Sequence, residues 1–197
     1  MKIISFEGIE GVGKSTQIRL LKDFLESKNL DVEVLREPGS TLAGEKIRDI
    51  LLDNNNKLSN ETELLLMFSA RSELVNKLIL DNQSDYLLLD RFFDASMAYQ
   101  GYGRELSKEF ISSLISFIKC PIPNFTFLLD IPVEEGFSRK HNDTMDRIES
   151  SGFEFFDKVR KGYLEIASNN DDRFIVINAN NDIDSIHDEI LFNLNIK

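Results

Sequence analysis

Residues 3–16, from Ile3 to Thr16, read I-I-S-F-E-G-I-E-G-V-G-K-S-T. The stretch opens on a short apolar run, Ile3-Ile4-Ser5-Phe6, bounded by Gly8, which predicts a buried strand. Gly8-Ile9-Glu10-Gly11-Val12-Gly13-Lys14-Ser15 then fits G-x-x-x-x-G-K-[ST], the P-loop pattern. Ile18, Leu20, Leu21, Phe24 and Leu25 follow at helical spacing and fade at Ser27-Lys28-Asn29. Strand, glycine loop and helix come in the order the motif requires.

Each residue type has a physical reason. Glycines let the loop wrap closely around phosphate. Backbone N–H groups and the helix N-terminus point at the anion. Lys14 is expected to reach the β and γ phosphates, and the Ser15 hydroxyl to hold Mg²⁺. Gly8 to Thr16 therefore form the candidate ATP site. The bland alternative is a Gly-rich strand–helix turn with no ligand.

Further along, Val32-Glu33-Val34-Leu35, Tyr86-Leu87-Leu88-Leu89, Phe125-Thr126-Phe127-Leu128-Leu129 and Phe174-Ile175-Val176-Ile177 read as four more strands. Helical stripes separate them: Leu42 to Leu51, a long helix starting at Thr62 and reaching Ile79, Phe110 to Ile118, Val133 to Phe137, Phe153 to Ile166, and Ile183 to Leu194. Alternation of this kind predicts a three-layer α/β P-loop fold. A five-stranded parallel sheet is flanked by helices on both faces. No linker, repeat or low-complexity tract divides the chain, so residues 1–197 are expected to form one domain.

Ligands of such sheets bind at the carboxyl ends of the strands. The residues there are Gly8 to Ser15, Arg36 to Thr41, Asp90-Arg91, Asp130 and Asn178-Ala179. Asp90 and Asp130 both follow apolar strands, and either suits a water-mediated Mg²⁺ contact or a structural cap. Asp90 is preferred because Arg91 follows it. Arg48 and Arg71 sit on helices among apolar residues, where each alone reads as a surface Arg with a buried stem. Glu37 precedes Pro38 and is expected to be extended, with a cis bond open to it.

The net charge is −11, which disfavours non-specific nucleic-acid binding and makes any cluster of cations informative. Hydrophobic residues at 42% and charged residues at 29% suit a soluble globular protein, and the cytoplasm is the default compartment. Cys120 is the single cysteine, which rules out an intrachain disulfide. His141 and His187 receive no role. No apolar run approaches about 18 residues, so no membrane span is expected. Met1-Lys2 reads directly into the first strand, so no signal segment is expected.

Residues 138–150 are polar and carry Arg139, Lys140 and Arg147. They read as a solvated connector or as a lid that closes over phosphates. The arginines favour phosphoryl transfer to a second phosphate over hydrolysis. A phosphate monoester is already mostly dianionic above its second pKa of about 6, so it needs no strong base. The obstacle is repulsion between two anions, which cations relieve.

Arg36-Glu37-Pro38-Gly39-Ser40-Thr41, Gly44-Glu45-Lys46-Ile47-Arg48, Asp90-Arg91-Phe92-Phe93-Asp94-Ala95-Ser96-Met97-Ala98-Tyr99-Gln100-Gly101 and Asp146-Arg147-Ile148-Glu149 together resemble the bacterial thymidylate kinases. The resemblance covers essentially the whole chain. It implies transfer of the ATP γ-phosphoryl group to dTMP, giving dTDP and ADP, with Mg²⁺. By resemblance, the dTMP site comprises Glu10, Arg36, Pro38, Arg48, Met67, Arg71, Arg91, Ser96, Tyr99 and Gln100. Arg36 and Arg91 would hold the acceptor phosphate, with Arg48 in support. Arg71 would donate to a thymine carbonyl, and Ser96 would bond the base edge with Gln100 in support. Tyr99 would pack against C2′ of the sugar. Ala179 lies where the family's backbone meets adenine. The P-loop carries Glu10 and no Arg, which resembles the arrangement whose lid supplies the catalytic cation. The catalytic set is then Lys14, Arg91, Arg139, Lys140 and Glu10. Met67 departs from the family, which usually has Phe four residues before the base-reading Arg. The resemblance also implies a homodimer, joined through helical faces between Thr62 and Ile79 and between Ser107 and Ile118.

Two other readings of the residues stay open at this point. One is a kinase for another nucleotide, such as dUMP, CMP or a deoxynucleoside. The other is a P-loop switch without acceptor chemistry.

Overall fold

The computed structural model describes residues 1–139 and 145–196. Its order is β1 (Lys2–Glu7), α1 (Lys14–Ser27), β2 (Val32–Arg36), α2 (Leu42–Leu52), α3 (Asn60–Leu74), β3 (Tyr86–Asp90), α4 (Phe93–Ser96), α5 (Lys108–Ile118), β4 (Phe125–Asp130), α6 (Val133–Ser138), α7 (Phe153–Ser168), β5 (Phe174–Asn178) and α8 (Ile183–Asn193). α3 runs on into a π-helical turn, Val75–Ile79, and α4 into another, Met97–Gly103.

All five strands are parallel, in the order β2-β3-β1-β4-β5. β1, which leads into the P-loop, is central. Its two neighbours pair with it in register, Phe6 beside Asp90 and beside Phe127. Successive side chains on a strand face opposite ways. Ile4, Phe6 and Leu88 accordingly join the apolar cluster formed with α1, α7 and α8. Ile3, Leu87 and Leu89 join the cluster formed with α3 and α5. Burial on both faces explains why these strands read as unbroken apolar runs.

The five expected strands and the expected helices are present. The segment from Phe93 to Gly103 differs, because no helix is legible there in the sequence. It is short, glycine-containing and buried on several sides: Ala95, Ala98, Tyr99 and Gln100 are all buried. A π-helical turn shifts the side-chain spacing away from 3.6, which hides its stripe. The long helix differs in its facing. Leu65, expected on its stripe, is 51% exposed, whereas Arg71 is 1% exposed. The expectation of Arg71 as a surface Arg is therefore overturned.

Candidate active site

The carboxyl ends of β1, β2 and β3 open into a cleft of about 790 Å³. The P-loop forms one wall. Gly8 adopts φ 131° and Gly11 φ 75°. A side chain on Gly8 would collide with the Leu129 carbonyl, and one on Gly11 with the Gly136 carbonyl of α6. The loop is thus pressed against β4 and α6 as only glycine permits.

Lys14, at the start of α1, folds back over this loop. Its Nζ donates to the Gly8 and Ile9 carbonyls at 3.1 and 2.8 Å. Burial, reinforced by the Arg91 charge, lowers its pKa from 10.5 to about 8. A second anion in the cleft would favour its charged form. Ser15 Oγ donates to Asp90 Oδ2 at 3.2 Å. This pair of hard oxygens suits Mg²⁺, which keeps several waters and takes few protein ligands. Among the described residues no cluster of three or more His, Cys, Asp or Glu side chains suits a metal. Asp130, the other candidate, is occupied. Arg160 grips both its oxygens at 2.7 and 2.8 Å.

Arg91 joins the loop to the opposite wall. Its Nη2 lies 2.6 Å from Glu10 Oε1, and its Nη1 donates to the Gly8 carbonyl at 2.8 Å and to the Tyr163 hydroxyl at 3.3 Å. Tyr99 donates to the same Glu10 oxygen at 3.1 Å and lies under the Arg91 guanidinium. Burial works against the Arg91 charge, but Glu10, Tyr99, Tyr163 and Asp90 together outweigh it and raise the pKa well above its ordinary value. The Arg91 backbone has φ 68°, an unusual conformation for a side-chain-bearing residue. Glu7 underlies it. Its Oε1 accepts from the Phe92 N–H at 2.7 Å, and its Oε2 accepts from the Tyr163 hydroxyl at 2.7 Å. Burial, with some repulsion from Asp94, raises the Glu7 pKa to about 8.

Arg36 and Arg48 also line the cleft. Arg36 Nη2 pairs with Glu45 at 2.9 Å, and Arg48 Nη1 donates to the Pro38 carbonyl at 3.0 Å. The Glu37-Pro38 bond is cis. Glu37 is drawn inward, where Arg71 donates to it through Nε at 2.9 Å and Nη2 at 2.6 Å. Arg71 Nη1 donates to Ser96 Oγ at 2.9 Å. Burial opposes the Arg71 charge, and the paired Glu37 carboxylate keeps it protonated.

Most residues expected from the sequence meet in this cleft. Glu10 to Thr16, Arg36, Pro38, Arg48, Met67, Asp90, Arg91, Tyr99 and Arg139 line it. Gly8 and Ile9 lie beneath the loop crest. Arg71, Ser96 and Gln100 lie behind the lining rather than in it, and all three are buried. Ala179 is also outside the lining, and its carbonyl accepts from Arg139 Nη1 at 3.0 Å. Arg139 thus reaches the loop after β5, where Nη2 also meets Asn180 Oδ1 at 2.9 Å. Lys140 lies outside the described residues, as does the middle of the expected lid. Arg147, the third lid cation, is held by the Leu51 carbonyl at 2.7 Å and by Glu63 at 2.8 Å.

Several contributors received no role from the sequence. Glu37, Asp146 and Glu149 line the cleft, while Glu7 and Glu63 hold its walls from within. The available signal was a Glu inside or beside an apolar run, at Phe6-Glu7 and Glu63-Leu64. Such positions demand a buried partner.

A parallel sheet with a glycine loop at its central strand, in a cleft also lined by Arg36, Arg48 and Arg91, defines a P-loop kinase. Comparison with known proteins narrows the class. The family model described as thymidylate kinase matches residues 6–190. Thymidylate kinase from Kosmotoga olearia is 42% identical over 192 residues, covering 95% of this chain and 92% of its own. Thymidylate kinase from Chlorobium limicola is 43% identical over 206 residues, covering 98% and 94%. A crystal structure of thymidylate kinase from Ehrlichia chaffeensis superposes with a TM-score of 0.79 at 31% identity, covering 99% of this chain and 98% of that one. The chain belongs to the thymidylate kinase family, and its reaction is the ATP-dependent phosphorylation of dTMP to dTDP.

Proposed function

We propose that the two walls of the cleft divide the substrates, and that Glu10 and Arg91 join them. Gly8 to Thr16 would hold the ATP phosphates, with Ala179 beside adenine. Arg36 and Arg91 would hold the dTMP phosphate, with Arg48 and Pro38 shaping that pocket. Met67 would cover the thymine ring through its polarizable thioether. Arg71, Ser96 and Gln100 would meet the base edge, and Tyr99 would pack against the sugar. The observation that carries this reading is the 2.6 Å contact of Arg91 with Glu10, which brings an acceptor-side cation onto the donor loop.

In the reaction, a dTMP phosphate oxygen attacks the γ-phosphorus of ATP and ADP leaves. Both partners are anions, so the protein's task is alignment and charge screening. Lys14 exchanges its carbonyl partners for the β and γ phosphates. Arg91 aligns the acceptor with the transferring group. Arg139 and Lys140 are the lid cations that follow the transferred charge. Ser15 and Asp90 would hold Mg²⁺ with its waters. When bound there, it would supply positive charge that offsets the charge of the phosphate chain.

Further proposals concern the whole protein. Residues 1–197 form one nucleotide-kinase domain with residues 138–150 as its lid. The protein works in the cytoplasm as a homodimer, which would cover the exposed Leu65, Phe110 and Phe117. Among the described residues no helix is long and apolar enough to cross a membrane.

Arg91→Met tests the division of roles. Its dTMP KM is expected to rise about 10- to 100-fold, with ATP affinity changed less than about threefold. Equal losses for both substrates would contradict the assignment.

A further inference from the structure

Glu63, on the first turn of α3, is 1% exposed and gathers three donor side chains from two distant segments. Gln100 Nε2 donates to its Oε1 at 2.9 Å. Arg104 Nη2 and Arg147 Nη2 donate to its Oε2 at 3.1 and 2.8 Å. Burial opposes the Glu63 charge, but hydrogen bonds from Arg104 and Gln100 outweigh it and hold the pKa below its ordinary value.

An ionised carboxylate only accepts hydrogen bonds, whereas a carboxamide has a donor end and an acceptor end. Glu63 therefore dictates which end of Gln100 it meets. The amide must turn Nε2 toward Glu63 and Oε1 away. That Oε1 is buried and has no hydrogen-bond partner among the described residues, and Gln100 itself is 0% exposed. A buried acceptor with no donor is costly, so its position suits a donor brought by the substrate.

We propose that Glu63 is a positioning residue for base specificity: by fixing the Gln100 amide, it presents an acceptor to the substrate base. The inference rests on the reading that Gln100 meets the base edge. The consequence is chemical. Thymine and uracil carry an N3–H, which satisfies Gln100 Oε1. Cytosine has a bare N3 lone pair, which faces another lone pair and is rejected.

Glu63→Gln tests this directly. Arg104 Nη2 and Arg147 Nη2 both need the oxygen at the Oε2 position, whereas the charged donor at Oε1 is the longer Arg104 Nε contact at 3.3 Å, so the introduced amide turns its NH₂ group toward Gln100. Gln100 must then reverse and present Nε2 to the base. The ratio of kcat/KM for dTMP over dCMP is expected to fall about tenfold or more. Arg104→Gln removes a charged donor from Glu63 but keeps the carboxylate, so that ratio is expected to hold even if stability drops. Gln100→Ala isolates the underlying reading and is expected to lower the ratio. If Gln100→Ala lowers it and Glu63→Gln does not, the role of Glu63 is overturned alone. If Gln100→Ala leaves it unchanged, the base-edge reading fails and the inference falls with it. Should Glu63→Gln fail to fold, glutamine-labelled wild-type protein answers the same question by NMR. Added dTMP is expected to shift the Gln100 carboxamide carbon more than its nitrogen, and the reverse result would overturn the proposal.

Discussion

Arg91 Nη2 and Glu10 Oε1 lie 2.6 Å apart, so the P-loop and the segment after β3 are one hydrogen-bonded unit. Tyr99 completes the unit by donating to the same Glu10 oxygen. The pair is partly shielded from solvent, with side-chain exposures of 13% and 22%. Losing Glu10 frees Arg91 and strips the Tyr99 hydroxyl of its acceptor. Glu10→Ala is expected to lower kcat/KM for dTMP by about 10- to 100-fold. Binding of an ATP analogue, measured by calorimetry without dTMP, is expected to change far less.

The Arg71–Glu37 pair is more deeply buried, with side-chain exposures of 1% and 3%. Removing Arg71 leaves Glu37 buried without its counter-charge and hydrogen-bond donors. Arg71→Ala is expected to lose about 3–5 kcal/mol of folding stability, measured by urea unfolding, besides its effect on dTMP use. Arg71→Lys is expected to restore only part of both, because an ammonium cannot reproduce the forked grip on Glu37, Ser96 and the Phe92 carbonyl. If Arg71→Ala leaves the preference for dTMP over dUMP and dCMP intact in the surviving folded protein, its contact with the base is wrong.

Two buried groups at the loop give stability an unusual pH profile. Glu7 rises from 4.5 to about 8, so between those values the native state binds more protons than the unfolded chain. Stability therefore falls as pH rises through that window. Lys14 drops from 10.5 to about 8, so above 8 the unfolded chain binds more protons. Its contribution makes stability rise again toward pH 10.5. Glu7→Gln keeps an acceptor for the Phe92 N–H and is expected to flatten the acid-side slope in denaturant melts. An unchanged slope would show that Glu7 does not titrate there.

These relationships also explain how much was legible in the sequence. Ile3-Ile4-Ser5-Phe6 and the other apolar runs announce strands because both sheet faces are covered. The P-loop announces its chemistry because glycine, Lys14 and Ser15 have little other reason to occur at that spacing. Glu7, Glu37 and Glu63 gave no such signal. Each acquires its meaning from a partner far along the chain: Tyr163 for Glu7, Arg71 for Glu37, Gln100 and Arg147 for Glu63. Asp94 and Arg173, a buried pair joined at 2.8 Å, are hidden for the same reason. The turn after α4 was missed because π-helical spacing does not produce the stripe of an α-helix.

Ser15 and Asp90 supply a further check. Chelation of divalent metal is expected to abolish turnover, and Mg²⁺ to restore it. Asp90→Asn is expected to raise the Mg²⁺ concentration for half-maximal activity about tenfold or more. Asp130→Asn, which disturbs only the Arg160 pair, is expected to leave that concentration near wild type. Equal shifts in the two variants would remove Asp90 from the metal site.

The most direct test offers wild-type protein with Mg-ATP a panel of acceptors and measures ADP formation. Turnover is expected to be fastest with dTMP, slower with dUMP, and poor with CMP, GMP and thymidine. The Lys14→Ala variant is expected to lose most of it. Equal ADP formation with no acceptor, or a preference for CMP, would contradict a cleft in which the P-loop faces a thymidylate site.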